Sequence, residues 1–481
     1  MSIHTLSRAA VLAALLASAA LAANAGEDRI QPWEEDPRYW QYGGEPVLLL
    51  GATDTDALFQ WEEDPLVSQL DLLVESGGNY IRNVMSSRSP DERGDVFPWA
   101  HLGDGQYDLD QWNEEYWRRF ERMLEETAAR DVIVSIELWD GHDVQSRSDT
   151  PEGFSQWAAH PLNPANNMNY SAEDTTIPDI WTIGYPNETH PILLTVPELN
   201  DDAEVLAYQN AFIARILDHA LDYDHVLYVI QNETWVDPAW SDYWAGFIRG
   251  QAAERDVEVQ VADMEFTPSV DPVLERGFDF GELSQSASGA GRASGVNAGQ
   301  QHFDFIAAEL AKLAEQPAPV NSVKQYGGDL GWTLGPDEGV DRVWRTIFAG
   351  QAAVRFHRPG GGGIGLNERA QANLTSLRMV TDYIDVFTAQ SHQDLQNLLS
   401  NRAVNEAYIM GDSQQGYAVF FTQEGAEVEL DVSAIEGDVR VRWLDVNTAE
   451  WNGDWETFSE ETLTLSKPGD AQWAVLITRG S

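Results

Sequence analysis

From residue 46 onward, short apolar runs alternate with stretches whose apolar residues recur every three to four positions. The runs at 46–51 (PVLLLG), 79–85 (NYIRNVM), 132–139 (VIVSIELW), 226–231, 257–264, 278–284, 320–326 and 354–357 predict strands. The stretches 66–76, 113–130, 204–223, 241–255, 302–315, 340–353 and 366–387 carry the spacing of amphipathic helices. Near-continuous apolar strands belong to sheets buried on both faces, as helices bury a parallel sheet. Eight strands alternating with helices predict parallel βα units, and eight is the number that closes a barrel. The sixth unit carries the weakest signal, because 289–299 is rich in Gly, Ser and Ala and reads as a loop.

After about residue 394 the period becomes two. Residues 406–410, 417–421, 428–432, 439–444 and 473–477 predict short strands, with Gly411-Asp412 and Asn452-Gly453-Asp454 as separating turns. The expected fold class is therefore α/β: a (β/α)8 TIM barrel over 26–393 and a small C-terminal antiparallel β-sandwich domain over 394–481. That domain either packs on the barrel or binds carbohydrate, and packing is the favoured role. One insertion interrupts the alternation. Residues 140–202, between the third strand and its helix, are rich in Asn, Pro and Trp. A βα loop of that length lies on the catalytic face of a barrel and predicts a wall or lid of the substrate cleft.

The N-terminus changes where the protein is expected to act. Arg8, an apolar run over 9–22 and the small-residue site Ala23-Asn24-Ala25 have the layout of a signal peptide over residues 1–25. The mature chain is expected to be secreted or periplasmic. It has no Cys, hence no disulfides, and no later stretch predicts membrane insertion. The formal net charge is −50, from 29 Lys and Arg against 79 Asp and Glu. That balance excludes nucleic acid as a partner, since a phosphate backbone needs a basic face. Only Lys312, Lys324 and Lys467 are lysines. An acidic, lysine-poor surface suits a halophilic habitat, where salt screens self-repulsion. Eighteen Trp residues are many, and they serve either as sugar-stacking surfaces or as core.

In a barrel of this kind, polar residues at strand C-termini are the candidates for chemistry. Strand two ends in Arg82 and Asn83. Strand three carries Glu137 and ends near Asp140. Strand four ends in Asn232, Glu233, Thr234 and Trp235, and strand five in Asp263 and Glu265. Strand seven carries Lys324, Gln325 and Tyr326 with Asp329 just beyond, and strand eight ends in His357 and Arg358. Asn232-Glu233 at the fourth strand resembles the acid/base signature of the clan A retaining glycosidases. The resemblance implies that Glu233 protonates the leaving glycosidic oxygen, that Asn232 hydrogen-bonds the sugar's 2-hydroxyl, and that Arg82 orients a nucleophile. More widely, 46–54 (PVLLLGATD), 79–88 (NYIRNVMSSR), 232–235 and the β-tail are similar to apiosidase-like bacterial glycoside hydrolases. These join such a barrel to a β-domain of the type labelled collagen-binding. The resemblance covers nearly the whole mature chain, and it implies a glycoside hydrolase; the substrate does not transfer with it, since function belongs to the site rather than the fold.

The chain departs from the clan pattern at strand seven, where Gln325 stands in the place expected for the nucleophilic Glu. An amide cannot form a glycosyl ester. Glycoside hydrolysis needs two carboxyl groups, one protonated and one ionised, so either the register of strand seven differs, or another carboxylate serves (Asp329, Glu265 or Asp140), or the mechanism is inverting. Lys324, inside a predicted strand, forms either a salt bridge to an acid such as Glu137 or a contact to an anionic substrate. With Arg82, His357 and Arg358 it would define a cationic pocket for an anionic sugar, as in algal or pectic polysaccharides. Trp235 and Tyr326 complete the expected substrate-binding set. No cofactor is called for. Asp140-Gly141-His142-Asp143 matches no strong metal spacing, and the glycine run at 360–363 lacks the Lys-Ser/Thr of a nucleotide loop. Two alternatives stand beside the hydrolase: a polysaccharide lyase with Tyr326, His357 or Lys324 as base, and a barrel that binds carbohydrate without cleaving it.

Overall fold

The computed structural model describes residues 28–87, 94–144, 156–181, 189–232, 234, 236–331, 333–388 and 395–480. The expected signal segment and the expected domain boundary at 393/394 lie outside these residues. Eight parallel strands form one sheet: β1 (Leu49–Ala52), β2 (Tyr80–Val84), β3 (Ile133–Asp140), β4 (Val226–Asn232), β5 (Val261–Ala262), β6 (Gly281–Glu282), β7 (Val320–Gln325) and β8 (Ala353–Phe356). Their spatial order is β5-β4-β3-β2-β1-β8-β7-β6. The Asp279 N–H donates to the Val261 carbonyl at 2.9 Å, so the two ends of the sheet meet beside β5 and β6. Around them run α1 (Glu63–Glu75), α2 (Glu114–Ala128), α3 (Ala203–Ala220), α4 (Pro238–Ala253), the short α5 (Asp271–Arg276) and α6 (Gly289–Ser294), α7 (Gly299–Lys312), α8 (Gly335–Phe348) and α9 (Glu368–Thr381). The chain is a (β/α)8 barrel.

Period-two alternation divides each strand between two cores. Leu49, Tyr80, Ile133, Leu227, Val229, Val323 and Ala353 fill the barrel. Leu50, Ile81, Val134, Tyr228, Val354 and Phe356 face the helices. A three-stranded antiparallel sheet (Gln31–Pro32, Trp40–Tyr42, Glu45–Val47) stoppers the N-terminal end. Its Trp40 is fully buried and donates its indole N–H to Asn321 at 2.9 Å. The fifth and sixth strands are shorter than the apolar runs predict, with only two residues pairing in each. Residues 289–294, expected as loop, form a helix capped by the Ser288 side chain. Helix α8 starts at Gly335 and ends at Phe348. Gly350, at φ +100°, turns the chain into β8 where the periodicity suggested continuing helix.

Helix α8 approaches the end of β7 through two glycines. A Cβ added to Gly339 would lie 2.7 Å from the Cα of Gly327, and one added to Gly327 would lie 2.5 Å from the Cα of Gly339. Backbone cannot yield as a flexible side chain can. Gly339→Ala is therefore expected to destabilise the protein by about 1–3 kcal/mol, read as a lower urea midpoint. An unchanged midpoint would show that the crossing relaxes freely.

Two loops rise over the C-terminal face. Between β2 and α2 a hairpin (Trp99–Gly103, Gln106–Trp112) turns at Asp104-Gly105, both at positive φ. Its Tyr107 bridges to Asn167 of the long insertion. Inside the insertion, Asn163 and Asn167 hold the backbone by side-chain hydrogen bonds to the carbonyls of Trp157, Asp179 and Pro161. This explains the Asn-rich composition: these amides replace the missing backbone ladder.

The C-terminal strands form a three-stranded sheet (Leu399–Ser400, Glu427–Asp431, Thr462–Ser466) and a five-stranded one (Ala407–Asp412, Gly416–Phe421, Val439–Asp445, Glu450–Phe458, Trp473–Arg479). They are antiparallel throughout. Asn452-Gly453-Asp454 is not the expected turn. It lies inside the strand Glu450–Phe458, where Gly453 at φ +73° accompanies a register shift opposite Val441 and Trp443. The larger sheet is covered on both faces. Ile409, Val419, Val441 and Val475 meet the smaller sheet. Tyr408, Met410, Phe420 and Leu476 meet the barrel helices, with Phe420 stacked on Trp344 at 4.8 Å between centroids. Packing on the barrel accounts for this arrangement.

Candidate active site

The barrel interior turns polar toward the C-terminal ends of the strands, as inward positions pass from Leu, Ile and Val to charged residues. Arg82 of β2 is fully buried and makes a two-pronged bond to Glu137 of β3, both contacts at 2.5 Å. Its third nitrogen lies 2.6 Å from Asp56, just beyond β1. Asp56 also receives Arg358, with Arg355 at 3.6 Å and His357 Nδ1 at 3.8 Å. Arg355 in turn reaches the Thr53 hydroxyl and the Val323 carbonyl. Burial opposes the charge of Arg82, but Asp56 and Glu137 outweigh it and hold its pKa well above the ordinary value. Burial, aided by the neighbouring arginines and opposed by Asp56, holds His357 well below its ordinary value and so neutral.

Asn232, the last residue of β4, is gripped at both ends. Its amide donates to Asp140 at 2.8 Å, and its carbonyl accepts from the Lys324 ammonium. An ammonium can only donate and a carboxylate accepts, so the amide's orientation is fixed. Lys324 gains this position through an irregularity of β7. Ser322 pairs with Val354 and Gln325 with Phe356, with a register shift between them. Val354 and Phe356 face the helices, and Gln325 accordingly donates outward to Thr346 of α8 at 3.2 Å. The position expected for a nucleophile is turned away from the barrel axis, and Lys324 takes the inward place.

Of the other expected site residues, Glu233 and Trp235 lie outside the described residues. Asn83 faces the helix side, accepting from the Phe59 N–H at 3.1 Å. Glu265 is half-buried and bound at 2.9 Å by Arg276 of α5, which also holds Asp263 at 2.9 Å and reaches Asp242. Burial and Asp263 raise the Glu265 pKa. The structure joins Glu265 to this peripheral network, while Arg82, Glu137, Asp140, Asn232 and Lys324 gather in the barrel mouth. Asp329 is exposed on the loop after β7. Tyr326 is buried with its ring 4.3 Å from that of His357. The four expected cations occupy one end of the barrel, but Arg82 and Arg358 are already engaged by Asp56 and Glu137, so they form no open anion-receiving surface.

Three residues join the cluster that strand-end reasoning passes over: Asp56, Glu282 and Arg355. Each had a signal. Asp56 follows the first apolar run by five residues, Glu282 stands with Asp279 inside the sixth run, and Arg355 lies inside the eighth. Glu282 is fully buried, and burial pushes its pKa up to about 8. Ser284 and Lys324 act against the shift, and Glu137 adds to it. Among the described residues no three or more His, Asp or Glu side chains converge to hold a metal ion, and no helix is long and apolar enough to cross a membrane.

No protein-family sequence profile matches the chain, and no curated protein sequence matches it. Among the solved structures it resembles is a glycoside hydrolase family 5 protein from Bacteroides vulgatus, at TM-score 0.61 and 13% identity over 94% of each chain. Another, described as a glycoside hydrolase, has TM-score 0.61 and 13% identity over 94% of this chain and 97% of that one. A family 5 mannosidase from Rhizomucor miehei aligns at TM-score 0.50 and 12% identity, over 75% of this chain and 99% of that one. At these identities the likeness establishes the architecture, a (β/α)8 barrel, with the first two alignments extending through nearly the whole chain.

Proposed function

We propose that the protein is a secreted glycoside hydrolase, with Glu233 as acid/base and Asp140 as the second carboxylate. The observation that carries this reading is the clamp on Asn232. An Asn ending the fourth strand of a barrel shared with glycoside hydrolases, with its amide fixed by Asp140 and Lys324, is a preorganised hydrogen-bonding group at the catalytic face. Glu233 follows it in the chain. In this mechanism Glu233 gives its proton to the glycosidic oxygen while Asp140, ionised, attacks the anomeric carbon or activates a water against it. Glu282 holds a proton at neutral pH, but its carboxyl is engaged by the Ser284 N–H and hydroxyl, and Glu233 is the assigned acid. Arg82 does its work through Glu137 and Asp56 and is a positioning residue. The proposed substrate is a plant or algal poly- or oligosaccharide. The acidic composition supports assay in high salt, and the leader supports export.

The test is a panel of neutral and anionic plant and algal oligosaccharides in high salt. The wild-type protein is expected to release reducing sugar, and Glu233→Gln and Asp140→Asn are each expected to lose about 10²-fold or more. If Glu233→Gln keeps full activity, Glu233 is not the acid and the assignment falls. A second reading has an observation in its favour. Because β7 presents Lys324 inward and no carboxylate, the barrel suits binding without turnover. Saturable oligosaccharide binding by a wild-type protein that cleaves nothing on the panel would select it.

A further inference from the structure

The long insertion packs beside the end of β3, and two histidines shape it there in the same way. His160 ends the single 3-10 turn Trp157–Ala159, and His190 caps the single turn Pro191–Leu193. The Nδ1 of His160 accepts from the Leu162 N–H at 3.1 Å, and that of His190 from the Ile192 N–H at 3.2 Å. Both rings pack on Trp157, His160 stacked at 5.5 Å between centroids and His190 tilted at 4.4 Å. Trp157 is fully buried and donates its indole N–H to the Pro178 carbonyl at 2.8 Å. Leu162 and Ile192, whose N–H groups the rings receive, line one cavity with Asp140 and Asp143, at and just beyond the end of β3.

An N–H can only donate, so each Nδ1 is the unprotonated nitrogen of a neutral ring, whereas an imidazolium carries hydrogen on both nitrogens. Protonating either ring sets a donor against a donor and strands the Leu162 or Ile192 N–H. His190 is 3% exposed, and its Nε2 has no partner among the described residues. A cation there would lose the bond at Nδ1 and gain none at Nε2, and burying a charge unpaired is costly. His160 keeps a partly exposed edge, so its share is the smaller. Burial lowers the pKa of each to about 3, and His160 adds to the effect on His190. Asp140 and Asp143 share the cavity lining with His160. Asp140 is engaged by the Asn232 amide and the His142 N–H, and neither acid offsets burial at either ring. The other ring contacts, Phe97, Trp157 and Trp181, bring no charge.

We propose that His160 and His190 form an acid-sensitive latch: neutral, they hold residues 157–163 and 190–194 against the end of β3, and protonated, they release them. Once released, a histidine titrates near 6.5, so the latch is complete above that pH and weakens as pH falls toward the folded values. With two such groups, the equilibrium for release is expected to grow on the order of 10²-fold from pH 7 to pH 5. Hydrogen exchange on the full-length protein, read by mass spectrometry and corrected for the intrinsic effect of pH, measures this as lost protection in peptides covering 157–163 and 190–194. Peptides from β3 are the internal reference and are expected to stay protected. In His160→Asn/His190→Asn the amide oxygens can accept the same N–H groups and cannot titrate, so the acid-dependent loss is expected to disappear. Should the double variant not fold, each single variant is expected to remove part of the loss, His190→Asn the larger part. Equal protection at pH 7 and pH 5 in the wild-type protein, or an undiminished loss in the folded Asn variants, would overturn the proposal. Its consequence for catalysis rests on the hydrolase reading: Asp140 loses its neighbouring wall, and activity is expected to fall over the same window, less so in the Asn variants. Acid release in a protein that hydrolyses nothing would keep the latch and reject only the hydrolase. Hydrolysis by a protein whose protection does not change with pH would reject only the latch.

Discussion

Arg82→Met is expected to destabilise the protein by about 3–5 kcal/mol, the cost of leaving buried charges uncompensated. The reason is the arithmetic of its partners. Arg82 is buried, holds both oxygens of Glu137 and lies 2.6 Å from Asp56. Asp56 keeps Arg358 and, at 3.6 Å, Arg355 when Arg82 is removed. Glu137 is fully buried and loses its bidentate partner. Methionine matches the length of the stem but supplies no donor. Urea denaturation reads the loss directly. The double variant Arg82→Met/Glu137→Leu removes the stranded carboxyl along with its partner, and it is expected to recover part of the lost stability. A double variant as unstable as the sum of the two singles would show that the pair contributes little as a pair. Because this network sits beneath the barrel mouth, Arg82→Met is also expected to lower catalytic activity.

Glu282→Gln is expected to change how stability depends on pH. In an unfolded chain a Glu titrates near 4.3, whereas in the folded protein burial raises Glu282 to about 8. Between these values the native state holds a proton that the unfolded state has released. Stability contributed by this site therefore falls as pH rises through that window, by up to about 1.4 kcal/mol per unit. Below the unfolded value the penalty is absent, and above the folded value it is complete. Gln keeps a carbonyl to accept from the Ser284 N–H, now at 2.9 Å, and has no proton to lose. The stability difference between variant and wild type is expected to widen in the variant's favour by on the order of 3 kcal/mol from pH 5 to pH 8. Parallel stability curves over that range would sink the prediction. Performing both series in high salt removes most of the surface contribution and leaves this buried one.

Much of the fold was legible along the chain because burial on two faces leaves a simple signature. Runs such as VIVSIELW predict parallel strands, and helical spacing between them predicts the covering layer. The exceptions share a cause. The strand Glu450–Phe458 contains Asn-Gly-Asp, which as local chemistry reads as a turn. The pairing of its two flanks with Val439–Asp445 absorbs those residues as a bulge. The hairpin at 99–112 rests on a contact with the insertion sixty residues on. In both places a tertiary contact outweighed a local preference.

The site divides along the same line. The sequence by itself determined the barrel, the β-sandwich that follows it, and the strand ends where polar residues collect, since these depend on periodicity and residue type. It could not determine which way an individual side chain points when pairing is irregular. One shift in β7 sends Gln325 outward to Thr346 and Lys324 inward to Asn232. Nor could it determine charge balance in space. Arg82, Arg355 and Arg358 come from strands two and eight, and only closure of the barrel brings β8 beside β1 and sets all three around Asp56. Their apparent positive charge is thereby compensated, because an ion buried in a barrel persists only where the fold delivers its counter-ion.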